Sequence, residues 1–230
     1  MQKRLYLHEE LMLLALREET GTMRNSDRLA YTLGAAIVSE LLLQKRIEID
    51  PVKKKKMLVN LIDPTLFGDP ILDEVILKIK DAKRRTNLKK WVIRIAGLKK
   101  LKRRIGLQLC RRGIVREDED TVLLLFKRKI YPEVNPQPEQ KLVARLRDAI
   151  FSDSDNVDPR DAIIIALAYQ TRLLRQKFDK KDLKPRKKRI KQIAEGCATA
   201  KAAKEIMEAV AAAIVVATVI PAIAASGSSG

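Results

Sequence analysis

The chain has 230 residues, which is enough for one domain with a sizeable core or for two small domains. Hydrophobic residues make up 46% of it but aromatic residues only 4%, so the core must consist mainly of leucine, isoleucine, valine and alanine, which favours helices. The formal net charge of +18 predicts an anionic partner, either nucleic acid or a membrane surface. The two cysteines are too few for a disulfide framework and indicate a reducing, cytoplasmic setting.

The first half of the chain is predicted to be helical, with one short strand pair. Apolar residues recur at helical spacing, and Gly34–Ala36 is small enough for close helix packing. The alternating stretch Arg46–Asp50 predicts a strand that pairs with Met57–Ile62. Trp91 is interpreted as a core anchor. The predicted helices are Leu7–Thr20, Asp27–Gln44, a helix from Asp69 or Pro70 to Lys80, and Asn87–Ala96.

The most informative stretch is Gly97–Gly113. Wound as one helix, it places Leu98, Leu101, Ile105 and Leu109 on a narrow apolar stripe. The other faces are basic, and no carboxylate lies within the stretch. Such a surface repels itself, so the sequence predicts a bound anion. The basic residues are Lys99, Lys100, Lys102, Arg103, Arg104, Arg111 and Arg112.

A β-hairpin is predicted directly after the basic helix. Its strands are Gly113–Arg116 and Thr121–Lys127, and the acidic run Glu117–Asp120 is placed at the tip. The prolines of Tyr131–Pro138 indicate a linker. Together, these patterns predict a mostly α-helical protein with short strands and a β-hairpin.

The remainder is predicted to be helical over Glu139–Phe151, Asp158–Phe178 and the basic segment Pro185–Glu195. Thr199–Ala225 is rich in alanine, valine and isoleucine, and two interpretations compete for it. It is near the lower length limit for a transmembrane helix, and a helix buried on all sides in the protein is preferred. Residues 1–225 are predicted to form one domain, and residues 226–230 a flexible tail.

No catalytic or metal-binding pattern is present in the sequence. The only histidine, His8, lies within the first predicted helix and is interpreted as structural. No phosphate-binding glycine loop, zinc motif or nucleophile elbow occurs. The sequence therefore predicts that the protein is not an enzyme and needs neither a metal nor a cofactor.

Several blocks, in order, resemble the Golgi phosphoprotein 3 family. The segment Leu5–Arg17 resembles that family's first helix, with an acidic pair, a leucine run and then a basic residue. The block Gly68–Glu74 is the most similar. Glu40–Asp50, Trp91 with Gly97, Arg104–Val115 and Thr121–Phe126 follow in matching order and spacing, so the resemblance spans about Leu5 to Val219.

The resemblance implies a single, mostly α-helical domain with a central apolar helical core, short strands and one projecting β-hairpin. It also implies a peripheral membrane protein that binds phosphatidylinositol 4-phosphate. For eukaryotic members it also implies location on the cytosolic face of the Golgi. There such proteins act as adaptors that retain membrane enzymes by their cytosolic tails. The family's hairpin takes part in self-association, which maps to about Gly113–Lys127 in this sequence.

The resemblance also implies lipid-binding positions. Two of its arginines fall on Lys99 and Lys102, a family tryptophan falls near Arg24–Ser26, where this chain has none, and a further arginine falls on Gly34. Lysine supplies a point charge without the arginine fork. The expected site for a lipid headgroup therefore consists of Lys99, Lys102, Arg103 and Arg24, with anionic-membrane binding as the broader expectation.

Two other functions are considered. A basic helix followed by a hairpin is also the order found in winged-helix proteins that bind nucleic acid. The acidic hairpin run and the scarcity of aromatic side chains make that less favourable. The basic surface could instead serve a protein adaptor or self-assembling scaffold by contacting acidic tails, and this role is compatible with lipid binding.

Overall fold

A computed structural model of the chain describes residues 4–17, 20–23, 27–50, 52, 56–122, 126–154, 156–196 and 207–213. The helices are α1 (Leu7–Ala15), α2 (Asp27–Leu43), α3 (Pro70–Lys80), α4 (Leu88–Ala96), α5 (Leu101–Arg111), α6 (Gln137–Phe151), α7 (Pro159–Gln170), α8 (Lys180–Leu183) and α9 (Lys187–Ala194). The strands are β1 (Ile47–Ile49), β2 (Val59–Leu61), β3 (Asp118–Val122) and β4 (Phe126–Ile130). The predicted mostly α-helical fold is confirmed.

Helix α1 lies at the centre of the molecule, and all of its residues are buried. It packs against α2, α5, α6 and α7. Helix α7 is also buried from Arg160 to Ala168. Since both helices are enclosed, they bury polar residues as well as apolar ones, and each buried charge needs a partner.

An ionic cluster provides those partners. Arg160 lies between two α1–α2 carboxylates, with its Nε 3.2 Å from Glu10 and its NH1 3.0 Å from Glu40. The Glu40 carboxylate also accepts a 2.8 Å hydrogen bond from the backbone N–H of Leu7. His8 is fully buried, and its Nε2 lies 3.4 Å from the side-chain oxygen of Gln108. Its position in the core agrees with a structural role.

Helices α2 and α4 approach closely at Gly34. A Cβ atom at this position would lie only 2.8 Å from the carbonyl oxygen of Val92. Trp91 on α4 is 3% exposed, as expected of a core anchor. The predicted packing role of Gly34–Ala36 is thus confirmed. In this packing an arginine would have no room at Gly34, the position onto which the family arginine falls in the sequence.

The two hairpins are antiparallel. In the first, Ile47 pairs with Leu61 and Ile49 with Val59, which confirms the predicted strand pair. In the second, Asp118 pairs with Ile130 and Val122 with Phe126. Of the predicted C-terminal helix Thr199–Ala225, residues 207–213 are helical and bury Met207, Ala209, Val210 and Ala213. Its other residues, like the predicted tail 226–230, lie outside the described part.

Candidate anion-binding cleft

The spacing predicts one helix from Gly97 to Gly113, but the structure divides this basic stretch. Helix α4 ends at Ala96, residues 97–100 form a turn, and α5 begins at Leu101. Lys100 adopts a left-handed backbone conformation with φ 55° and ψ 31°, which breaks the helical path. The apolar stripe remains, because Leu101, Ile105 and Leu109 are all buried. The two helices can therefore pack their apolar faces on different parts of the core.

The first turn of α5 has an unusual charge. It contains no acidic residue, and its N-cap, Lys100, makes no side-chain capping hydrogen bond. The N-terminal end of a helix carries a partial positive charge from its backbone N–H groups, which an acidic side chain usually offsets. Here, Lys102 and Arg103 add positive charge instead. This end of α5 is suited to binding an anion.

The second hairpin forms a wall beside this turn, and its acidic run was placed wrongly by the sequence prediction. Asp118, Glu119 and Asp120 lie within β3, not at a tip, and the strands are Asp118–Val122 and Phe126–Ile130. The run is stable within a strand because it faces basic residues across the ladder, with Glu119 opposite Lys129 and Asp120 opposite Arg128. Opposite charges directly across a strand pair stabilise it.

Tyr131 attaches the hairpin to α5. Its ring covers Gly106, where a Cβ would lie 2.6 Å from the tyrosine Cε1. Its hydroxyl donates a 3.3 Å hydrogen bond to Glu117, and the Glu117 carboxylate accepts a 2.9 Å hydrogen bond from Arg103 Nε. Burial, together with the Glu117 charge, raises the pKa of Tyr131 from 10.0 to about 12. The hydrogen bond from Arg103 lowers the pKa of Glu117, so this carboxylate is ionised at neutral pH.

The α5 turn and the hairpin enclose a cleft of about 490 Å³, which we call the α5 cleft. This volume is within the range of small-ligand sites, about 300–1,000 Å³. Five cationic side chains and several apolar ones line the cleft, and none of the described lining residues is a carboxylate. The lining consists of Met23, Ala30, Ala96, Leu98, Lys100, Leu101, Lys102, Arg103, Arg128, Lys129 and Tyr131.

The cleft contains two of the four residues predicted for headgroup binding, Lys102 and Arg103. Lys99 is exposed in the turn and does not line it, while Arg24 lies outside the described residues. Lys100, which belongs to the basic stretch but not to the predicted headgroup site, also lines the cleft, as do Arg128 and Lys129, which the sequence analysis did not name. The Lys-Arg-Lys run in β4 could have indicated Arg128 and Lys129 as anion-binding residues, but their place in the cleft depends on the register of the hairpin.

Much of the basic charge is partly offset by carboxylates from other segments. On α5, Arg104 pairs with Glu74 at 2.6 Å, and directly after the helix Arg112 pairs with Glu9 at 2.7 Å. In the cleft, Arg103 pairs with Glu117, Arg128 with Asp120 and Lys129 with Glu119. Lys99 and Lys100 make no ion pair with any residue that the structure describes. The turn before α5 therefore carries positive charge that no carboxylate of the described residues offsets.

Within the described ranges, no group of three or more histidine, cysteine, aspartate or glutamate side chains could hold a metal ion. No helix in those ranges combines the length and apolar character needed to cross a bilayer.

The fold and the cleft define a class of protein, a mostly helical domain with a central buried helix and a basic cleft beside a hairpin. Comparison with known proteins gives its family. The model of the Golgi phosphoprotein 3 (GPP34) family matches residues 7–213, and the chain belongs to this family. The chain is 25% identical over 175 residues to vacuolar protein sorting-associated protein 74 of Schizosaccharomyces pombe. That match covers 68% of this chain and 51% of the relative, so the chain spans about half the length of the relative.

Proposed function

We propose that the protein is a non-enzymatic, peripheral membrane protein that binds anionic phospholipid, and that its preferred lipid is phosphatidylinositol 4-phosphate. The observation that carries the proposal is the α5 cleft, in which five cations surround a helix N-terminus without an acidic residue in its first turn. A phosphomonoester suits such a site because backbone N–H groups and cationic side chains both favour a doubly charged anion.

The binding residues are Lys102, Arg103 and Lys100 in the cleft, with Lys99 beside it and Arg24 as a further cation from outside the described part. Each cation close to an anionic bilayer adds about 1 kcal/mol of attraction. Met23, Leu98 and Leu101 contribute apolar surface to the same cleft. The site therefore combines attraction for the headgroup with a surface on which the lipid's apolar part can rest.

Vesicle co-sedimentation tests this proposal. The protein is mixed with vesicles of phosphatidylcholine alone, with added phosphatidylserine, or with added phosphatidylinositol 4-phosphate at the same total charge. We expect binding to both anionic sets and a preference for the phosphoinositide. Equal binding to the two would contradict a headgroup-specific cleft and leave only surface electrostatics. Binding to neither, together with a steeply salt-dependent gel shift of DNA, would support the winged-helix alternative.

Neighbouring lysines provide a matched pair of variants. Lys100→Glu and Lys99→Glu make the same change in charge one residue apart, but only Lys100 lines the α5 cleft. We expect Lys100→Glu to weaken phosphoinositide binding about tenfold and Lys99→Glu clearly less, since a cation near the bilayer contributes about 1 kcal/mol. Equal losses would indicate that the cleft does not position the headgroup.

We further propose an adaptor role on the cytosolic face of the Golgi in a eukaryotic cell, where the protein would retain membrane enzymes by their cytosolic tails. Family membership supports this role. We also propose that β3 and β4 mediate self-association. Light scattering of the wild type and of a variant lacking residues 117–130 tests the second point, and an unchanged particle mass would contradict it.

A further inference from the structure

A second cleft lies at the opposite end of α5. It has a volume of about 690 Å³ and is formed by the residues before and within α1, the C-terminal end of α5 and the first turns of α6. We call it the α6 cleft. Arg112 and Arg145 contribute to its floor, and Arg4, Arg111 and Lys141 are further cations in its lining.

The floor consists of ion pairs with a consistent orientation. Arg112 Nε lies 2.7 Å from Glu9, and an NH2 of Arg145 lies 2.6 Å from Glu10. The two glutamate side chains are 1% and 3% exposed, whereas the arginine side chains are 23% and 33% exposed. The carboxylates thus face the core, and the guanidinium groups lie on the accessible side.

These arginines are held in place before any ligand binds. Glu10 is fixed from behind by Arg160, and Arg145 also pairs with Asp161 at 3.1 Å. A guanidinium has five N–H donors, so an arginine that contacts two carboxylates retains donors for a third. Because the side chains are already ordered, an incoming anion would cost little rotamer entropy.

The rim provides charge and apolar surface. Arg111 and Lys141 are exposed and make no ion pair with any residue in the described ranges. Arg4 makes a long ion pair of 3.9 Å with Asp158. Between these cations, the half-buried Leu5 and Pro138 provide apolar surface. Cationic and apolar groups therefore alternate over a cleft larger than one phosphate group requires.

We propose that the α6 cleft binds an acidic segment of a partner protein, with carboxylates on Arg111, Lys141 and Arg145 and an apolar side chain against Leu5 and Pro138. A peptide fits better than a lipid headgroup because Glu10 and Asp158 also line the cleft. Their negative charge opposes a doubly charged phosphate more strongly than a single carboxylate. Arginine forks also match carboxylate geometry.

The inference rests on the proposed adaptor function, because it names the chemistry of a partner, but it is independent of the lipid site. Helix α5 has 11 residues, so the two clefts are about 15 Å apart along its axis. Lipid in the α5 cleft and a peptide in the α6 cleft can thus be bound at the same time.

Fluorescence anisotropy with the full chain and no lipid tests the inference. The probe is a fluorescein-labelled peptide, Leu-Glu-Glu-Leu-Asp-Glu, and the comparison peptide has glutamine and asparagine in place of its acids. We expect the acidic peptide to bind and the amide peptide to bind at least tenfold more weakly. The variant Arg111→Glu/Lys141→Glu removes only exposed cations and is expected to lose at least tenfold in affinity with unchanged circular dichroism.

A matched variant controls for net charge. Lys180→Glu/Lys188→Glu makes the same change at exposed lysines that do not line the cleft, and should change peptide affinity less than twofold. Equal loss in both variants, no binding by the wild type, or equal binding of the amide peptide would overturn the inference. A further contrary result would come from the Lys100→Glu variant, in which the α5 cleft is weakened. Displacement of the probe from this variant by phosphatidylserine vesicles would identify the α6 cleft as a lipid site and overturn the inference. Failure of the lipid proposal alone would leave peptide binding intact.

Discussion

At the scale of single residues, Tyr131 is the side chain on which the α5 cleft depends most. It is 1% exposed, covers Gly106, and donates to Glu117, while its backbone N–H donates a 2.7 Å hydrogen bond to the carbonyl of Gly21. It therefore links the hairpin to two other parts of the chain. Ionisation of the Tyr131 hydroxyl should therefore loosen all three contacts together.

The raised pKa of Tyr131 gives a prediction for alkaline pH. Since the folded-state pKa is about 12 and the ordinary value is 10.0, the phenol is neutral in both states below pH 10, and its contribution to stability is complete there. Between pH 10 and 12 the unfolded chain loses this proton first, so stability falls. Urea unfolding from pH 9 to 11.5 should show a steeper fall for the wild type than for Tyr131→Phe. Parallel curves of stability against pH for the two proteins would contradict the raised pKa of Tyr131.

Residue-level signals decided which predictions succeeded. The bounds of α3 follow from Asp69, whose carboxylate accepts hydrogen bonds from two backbone N–H groups, and from Pro70 at the first helical position. The acidic run Glu117–Asp120 was placed wrongly because charge usually marks a loop. The basic partners of Glu119 and Asp120 lie on the returning strand, and that of Glu117 lies on α5. Between Val122 and Phe126 the sequence has only leucines, so no glycine, asparagine or proline signals the reversal.

At the scale of secondary-structure elements, the bounds and contacts of α5 depend on the segments that pack against it. Its apolar stripe was predictable from spacing, but its start was not. The turn before it requires a left-handed backbone at a lysine, for which the sequence has no signal. The pairing of Arg112 with Glu9, 103 positions earlier, also depends on the tertiary fold.

Gly106 tests the contact between α5 and the hairpin. Alanine normally stabilises a helix interior by about 1 kcal/mol relative to glycine. In Gly106→Ala the new methyl group would meet the buried Tyr131 ring at 2.6 Å, and overpacking costs about 1–3 kcal/mol. We expect a net loss of about 1 kcal/mol in urea unfolding, together with weaker vesicle binding.

Gly97→Ala is the matched control. A Cβ at Gly97 has no neighbour closer than 3.6 Å among the atoms around it, and its φ is −82°. This substitution should leave stability unchanged or raise it slightly. If the two variants behave alike, the packing of Tyr131 on α5 is not tight.

At the scale of the whole molecule, the central ionic cluster joins α1, α2 and α7. Arg160 contacts Glu10 and Glu40 and also donates to the backbone carbonyl of Leu5. Desolvation opposes the charged form of Arg160, but its carboxylate partners outweigh it and raise its pKa. The sequence predicted a helical core, but it did not predict charges at its centre, because an isolated Glu9–Glu10 pair usually indicates a solvent-exposed face.

Replacement of Arg160 by methionine should therefore destabilise the entire fold. It leaves Glu10 and Glu40 buried without this partner, and breaking a buried ion pair on one side costs about 3–5 kcal/mol. Urea unfolding monitored by circular dichroism measures the loss. The triple variant Glu10→Gln/Glu40→Gln/Arg160→Met should recover part of it.

Arg84→Met provides the reference, since Arg84 is exposed and makes no ion pair with the residues that the structure describes. It should change stability by less than about 0.5 kcal/mol. A loss for Arg160→Met as small as this would show that the cluster contributes little.

The carboxylates beside the α5 cleft act as internal competitors for the cations that a headgroup would use. Under the proposed function, a bilayer would have to displace Glu117 from Arg103, Glu119 from Lys129 or Asp120 from Arg128. Attachment would then have a threshold, because a weakly charged bilayer would compete poorly with carboxylates that are always present. Glu117→Gln should lower this threshold, so that co-sedimentation begins at a smaller fraction of anionic lipid than for the wild type. Added salt weakens the internal pairs and the lipid contacts alike, so binding should depend on ionic strength less steeply than five cations would suggest.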